Sequence, residues 1–140
     1  MSTMEELKAR REAMRKADAE AEAKQAEVDF AALVDAEEEH GFGAVRPIKV
    51  KQYRAGLPTM AIVKSPGGTH LFKAFQHETM NAKSGAKKIE AAEAFGLACI
   101  VYPSGELLAS MLKAFPGLAS TAAAVAAKLA MGEAEEEKKG

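Results

Sequence analysis

Three observations predict a mainly helical α+β chain. The opening segment, from Met4 to His40, contains no proline or glycine and is dominated by Ala, Glu, Lys, Arg and Leu, all strong helix formers. After Gly43 the period changes. Ala44-Val-Arg-Pro-Ile-Lys-Val-Lys-Gln-Tyr53 alternates apolar with basic residues, which is the pattern of a half-buried strand. Nearly all the strongly apolar residues then fall between Ile62 and Leu129, punctuated by Pro66, Pro103 and Pro116. The expected architecture is a long N-terminal helix, one antiparallel β-hairpin, and a bundle of about four short helices. Residues 1–40 form a charged arm, 41–132 the hairpin plus helical domain, and 133–140 a disordered acidic tail.

The first helix ends where Gly41 and Gly43 supply a stop, with His40 in its last turn. Its apolar face is thin. Met4, Leu7 and Met14 are followed by alanines, and only Phe30, Leu33 and Val34 are large enough to anchor it. Two readings stay open: a solvated helix docked by its C-terminal turns, or an oligomerising or partner-binding helix. No heptad of large residues is sustained, so a coiled coil is not expected.

In the first strand Ile48 and Val50 share one face, and Lys49 and Lys51 the other. Pro47 cannot donate to a ladder, so it belongs at the strand's beginning or on an edge. Arg54-Ala-Gly-Leu-Pro58 reads as the turn, and Thr59 to Lys64 as the second strand, with Met60 and Ile62 inward. A lone hairpin is marginal in water and must lie on helices or pair with another chain.

Pro66-Gly67-Gly68 ends that strand, and Thr69 is placed to cap a helix carrying Leu71, Phe72 and Phe75. Ser84 caps the next, whose face is Ile89, Ala92, Phe95, Gly96, Cys99 and Ile100, with Pro103 as its stop. Ser104 caps a short helix with Leu107, Leu108, Met111 and Leu112 on one side. Pro116 suits the first position of the final helix, where Leu118, Ala122, Val125 and Leu129 make a stripe. The alanines beside that stripe permit close approach of another helix.

The length, 140 residues, fits one domain with an appendage. A single cysteine excludes an internal disulfide and fits a reducing compartment. No apolar run is long enough to cross a bilayer. The N-terminus lacks the basic start and apolar block of a secretory signal, so the chain reads as cytosolic.

The net charge of −1 hides opposed blocks. Residues 1–40 carry 6 basic and 12 acidic side chains, and residues 41–90 carry 9 and 2. Such blocks imply intramolecular pairing or separate faces for different partners.

Catalytic signals are weak. His70 and His77 are seven residues apart, but no spacing such as His-Glu-x-x-His accompanies them, so no metal is expected. Cys99, inside Leu-Ala-Cys-Ile-Val, reads as a small core residue rather than a nucleophile. Ser65-Pro-Gly-Gly-Thr69 lacks the lysine of a phosphate loop. No carboxylate pair stands in an apolar setting that would tune acid–base chemistry. No cofactor is expected, and the chain reads as non-enzymatic.

The basic middle, with Arg46, Lys49, Lys51 and Arg54 at its head, has no interleaved aromatics for stacking on bases. A charged protein–protein surface or a solvated face is therefore preferred over a nucleic-acid surface.

Several of these punctuation marks recur together in one family. The hairpin feeding Ile62-Val63-Lys64-Ser65-Pro66 is followed by Leu71-Phe72-Lys73-Ala74-Phe75. A helix then ends in Ala98-Cys99-Ile100-Val101-Tyr102-Pro103, and Phe115-Pro116-Gly117-Leu118 breaks before an alanine-rich helix. From Glu39 to Gly132 the chain resembles the small tail assembly chaperones of long-tailed bacteriophages and related tail morphogenesis proteins.

The resemblance implies a non-enzymatic protein of the infected bacterial cytoplasm. It would coat an aggregation-prone tape-measure protein while tail-tube subunits polymerise around it. That task needs a surface that binds apolar helical segments reversibly. Phe72, Phe75, Leu108, Met111, Leu112 and Phe115 are the apolar candidates, although a helical apolar stripe is core by default. The alternative is a structural tail or capsid subunit that uses the N-terminal helix as an interaction arm, and homo-oligomerisation is open in either case.

Overall fold

The computed structural model describes residues 3–132. The expected disordered tail, 133–140, lies outside the described residues. The opening segment folds as one unbroken helix, α1 (Met4–His40). Its N-terminus carries a capping box. The Thr3 hydroxyl oxygen accepts from the Glu6 N–H (3.1 Å), and the Glu6 carboxylate accepts from the Thr3 N–H (2.9 Å). Gly41, at φ 101°, ends the helix and donates its N–H to the Glu37 carbonyl (2.9 Å).

Every residue from Met4 to Glu20 is exposed, and packing begins only at Ala21. Asp29, Leu33 and Ala36 form the buried stripe. Phe30, expected as an anchor with Leu33 and Val34, is instead 59% exposed. It sits about 100° round the helix from Asp29, off the docked face. Leu33 and Ala36 join Val45, Met60 and Ile62 in one apolar cluster. The packed unit thus begins inside α1 rather than after His40.

A 3-10 turn (Phe42–Ala44) leads into β1 (Val45–Lys49), which pairs antiparallel with β2 (Met60–Lys64), as expected of the hairpin. The sheet has a third strand, β3 (Ile100–Tyr102), antiparallel to β2 on its other side. There the sequence pattern extends a helix to Pro103. Ile100-Val101-Tyr102 is β-branched and aromatic, and the following proline disfavours helical geometry at Tyr102. The helix therefore stops at Cys99.

As the central strand, β2 buries both faces. Met60 and Ile62 pack toward α1, while Ala61 and Val63 pack toward the helices on the opposite side. Met60, Ala61, Ile62 and Val63 are each at most 5% exposed. β1 is an edge strand. Val50 donates its N–H to Thr59 (2.9 Å) and Ala44 accepts from Ser65 (2.8 Å), so even-numbered positions bond to β2. Pro47 is odd-numbered, opposite Ile62, and occupies a position whose N–H faces away from the ladder.

Four helices follow: α2 (His70–Asn81), α3 (Gly85–Cys99), α4 (Gly105–Ala114) and α5 (Leu118–Ala130). Ser84 caps α3 as expected, accepting from the Lys87 N–H (3.2 Å). Thr69 and Ser104 make no capping bond through their side chains. Thr69 already has helical angles (φ −92°, ψ −18°), so its hydroxyl is not held in capping geometry. Pro116 lies one turn residue ahead of the α5 cap, Gly117, because Phe115 to Leu118 closes a tight turn with Leu118 donating to the Phe115 carbonyl (3.0 Å).

α3 and α5 make the most intimate helix pair. Ala119, Ala122, Ala123 and Ala126 are buried along α5, and Gly96 of α3 lies directly on the α5 backbone. A side chain at position 96 would stand 2.8 Å from the Ala123 nitrogen and closer still to the Ala119 carbonyl oxygen. The sheet is thus covered on one face by the second half of α1 and on the other by α3, α4 and α5. α2 lies outside α3. No single helix among the described residues is long and apolar enough to cross a membrane; α4 and α5 reach that length only together, bent by 108°.

Candidate binding groove

The β1–β2 connection and the α4–α5 corner face each other across an open groove of about 540 Å³. Each wall follows from local chemistry. On the hairpin side, Gly56 takes φ 87° and its N–H donates to the Tyr53 hydroxyl (3.4 Å), while Leu57 donates to the Arg54 carbonyl (3.1 Å). The turn presents Lys51 and Arg54 outward. On the helix side, the Phe115 N–H closes α4 on the Met111 carbonyl (2.8 Å), and the chain turns before α5 begins.

The floor is apolar, formed by Ile48, Val50, Phe115 and Leu118, and the rim is basic, with Lys49, Lys51 and Arg54. The Arg54 guanidinium carbon lies 5.1 Å from the centroid of the Phe115 ring, a cation–π contact that holds the charge over the floor. An apolar trough with cationic edges fits a helix that carries apolar residues on one side and carboxylates on its flanks.

Four of the ten candidate residues, Lys49, Lys51, Arg54 and Phe115, therefore meet at one site. The other six do not. Leu108 and Leu112 are half-buried on α4. Arg46 is half-buried on β1, opposite Val63, and lies outside the groove. Met111 is fully enclosed, packed with Ala61 and Leu118, and offers no contact surface. Phe72 and Phe75 fasten α2 to α3. Phe75 stacks on Phe95 with centroids 4.4 Å apart and an interplanar angle of 5°, and Phe72 lies 6.0 Å from the same ring. These residues follow the default for a helical apolar stripe, because burial against a neighbouring helix is worth more than exposure.

Sequence reasoning passed over Asp29, the only fully buried charged side chain among the described residues. Its carboxylate accepts from the Thr59 N–H (2.6 Å), the Thr59 hydroxyl (2.6 Å), the Gln25 side-chain amide (2.9 Å) and the Tyr102 hydroxyl (2.5 Å). It ties α1 to the end of the hairpin connection and to β3, and so fixes the strand end from which Lys51 and Arg54 project. Burial, then the hydrogen bond to Asp29 and its negative charge, push the Tyr102 phenol up to about 12, against a smaller opposing effect of Gln25. The available signal was a carboxylate on the same helical stripe as Gln25, Leu33 and Ala36.

Cys99 is fully buried. Burial raises its thiol pKa, partly countered by Lys64, which disfavours the nucleophilic thiolate. Among the described residues the ion pairs Glu12–Arg15 and Lys87–Glu90 and the 3.8 Å contact of His40 with Glu39 are all local in sequence. None joins the acidic helix to the basic hairpin. No protein-family model, curated protein or solved structure matches the chain.

Proposed function

We propose that the protein is a non-enzymatic tail assembly chaperone, or a closely related morphogenesis factor, of a long-tailed bacteriophage, acting in the host cytoplasm. Its clients would be helical segments of the tape-measure protein, with tail-tube subunits as the second partner. The observation that carries the reading is the groove, whose apolar floor and basic rim suit reversible capture of an amphipathic helix. The Arg54–Phe115 contact keeps that floor partly covered when no client is bound.

A chaperone is absent from finished particles. Mass spectrometry of purified virions against the infected-cell lysate should find the chain only in the lysate. A co-expressed tape-measure segment should copurify with the wild type and be lost on Lys49→Glu with Arg54→Glu. Stoichiometric copies in the virion would overturn the reading. They would favour a structural tail or capsid subunit, a role supported by the wholly exposed stretch of α1 from Met4 to Glu20, which has the form of an interaction arm.

A further inference from the structure

The second half of α1 has two unlike faces. Asp29, Leu33 and Ala36 dock on the sheet. On the opposite side, Glu27 and Glu38 are eleven residues apart, three turns of helix, and fall on one line with Asp35 beside them. All three carboxylates are exposed. Phe30, 59% exposed, flanks the same line. Residues 21–40 hold seven acidic side chains and one lysine, whereas Met4 to Glu20 balance five against five. The charge of the helix is therefore concentrated on its docked half, and apart from the buried Asp29 it points away from the sheet.

This face cannot reach the basic groove of its own chain, because the helix is held to the sheet by the other side. The absence of any ion pair between α1 and the hairpin among the described residues agrees with that. We propose that the groove of one copy receives the outer face of α1 from a second copy. Glu27, Asp35 and Glu38 would meet Lys49, Lys51 and Arg54, and the exposed Phe30 ring would enter beside Phe115. Charge complementarity selects the occupant, since each copy carries one basic groove and one acidic helix face with an unpartnered aromatic. The inference goes beyond the chaperone reading and does not depend on it, because virion content and client capture are measured separately.

The test is sedimentation velocity on the full chain at rising concentration. Association should weaken about tenfold between low and high salt, as expected for a few exposed ion pairs. A groove-reversed variant (Lys49→Glu, Lys51→Glu, Arg54→Glu) and a helix-reversed variant (Glu27→Lys, Asp35→Lys, Glu38→Lys) should each be monomeric. Mixed one to one, they should associate again. All six positions are exposed, and circular dichroism verifies that both variants fold. A wild type that stays monomeric at low salt overturns the proposal, as does a mixture that fails to associate. Association that survives both reversals but is lost on deleting residues 1–20 also overturns it and assigns the contact to the free arm.

Discussion

The Asp29→Asn substitution isolates the contribution of one buried charge. The carboxylate receives four donors, two on each oxygen. Asparagine keeps one oxygen for the two Thr59 donors and turns its NH2 toward the Tyr102 hydroxyl and the Gln25 amide. The phenol can rotate and the Gln25 amide can flip so that each accepts, but the phenol proton then loses its acceptor, and every bond loses its charged acceptor. Hydrogen bonds to a charged group contribute roughly 1.5–3 kcal/mol each, and an orphaned donor costs about 1–3 kcal/mol. The expected loss is about 2–4 kcal/mol, and Asp29→Ala, which abandons all four donors, should cost about 3–5 kcal/mol. Against a total stability of about 5–15 kcal/mol for a domain of this size, that is a large fraction. Urea denaturation followed by circular dichroism measures it. The Tyr102→Phe and Asp29→Asn pair should show coupling in a double-mutant cycle. A loss below about 1 kcal/mol for Asp29→Asn, the range of an exposed charge, would refute the view that this carboxylate clamps α1 to the sheet.

Three further outcomes are expected. Gly96→Ala, which inside an ordinary helix would gain about 1 kcal/mol, should here lower the melting temperature, because the new Cβ meets the Ala119 and Ala123 backbone; a cost of about 1–3 kcal/mol or more is expected of such overpacking. Stability should fall as pH rises through about 10 to 12, because the folded state holds the Tyr102 proton to about 12 against an ordinary value of 10.0 and so binds more protons than the unfolded chain in that window; urea midpoints across it should flatten in Tyr102→Phe. Deleting residues 1–20, all of whose described side chains are exposed, should change stability by less than about 0.5 kcal/mol, whereas deleting 1–40 removes Asp29, Leu33 and Ala36 and should abolish cooperative unfolding in a urea titration.

The periodic features were legible. The unbroken helix-forming run and the period-two hairpin depend on local pattern, and each folds as its pattern dictates. In the last helix Leu118 and Ala122 of the expected stripe are buried, but the face shifts onto Ala119, Ala123 and Ala126 beside it, with Val125 and Leu129 half-buried. Non-local features were not. Ile100 to Tyr102 becomes a strand only because β2 has a free edge beside it. Phe30 reads as an anchor until the sheet selects the face containing Asp29 and Leu33. At the groove, the charges of the hairpin were visible in sequence. Their meeting with Phe115, 61 residues beyond Arg54 in the numbering, required the α4–α5 corner to be folded against the strand. Asp29 gave one faint sign, a carboxylate in line with Leu33 and Ala36, whose meaning depended on Thr59 and Tyr102 arriving from elsewhere.

Pro47 sits where an outward N–H would otherwise stand midway along the exposed edge of β1, leaving donors only at Val45 and Lys49 on that side. An incoming strand would lose its central bond there. The opposite edge, β3, is only three residues long and offers little length for pairing. The sheet is thus a poor template for main-chain addition by another copy or by an unfolded client. Under the proposed chaperone role, clients would be held through side chains rather than by strand addition, and the protein's own sheet would be a poor seed for a growing β-aggregate.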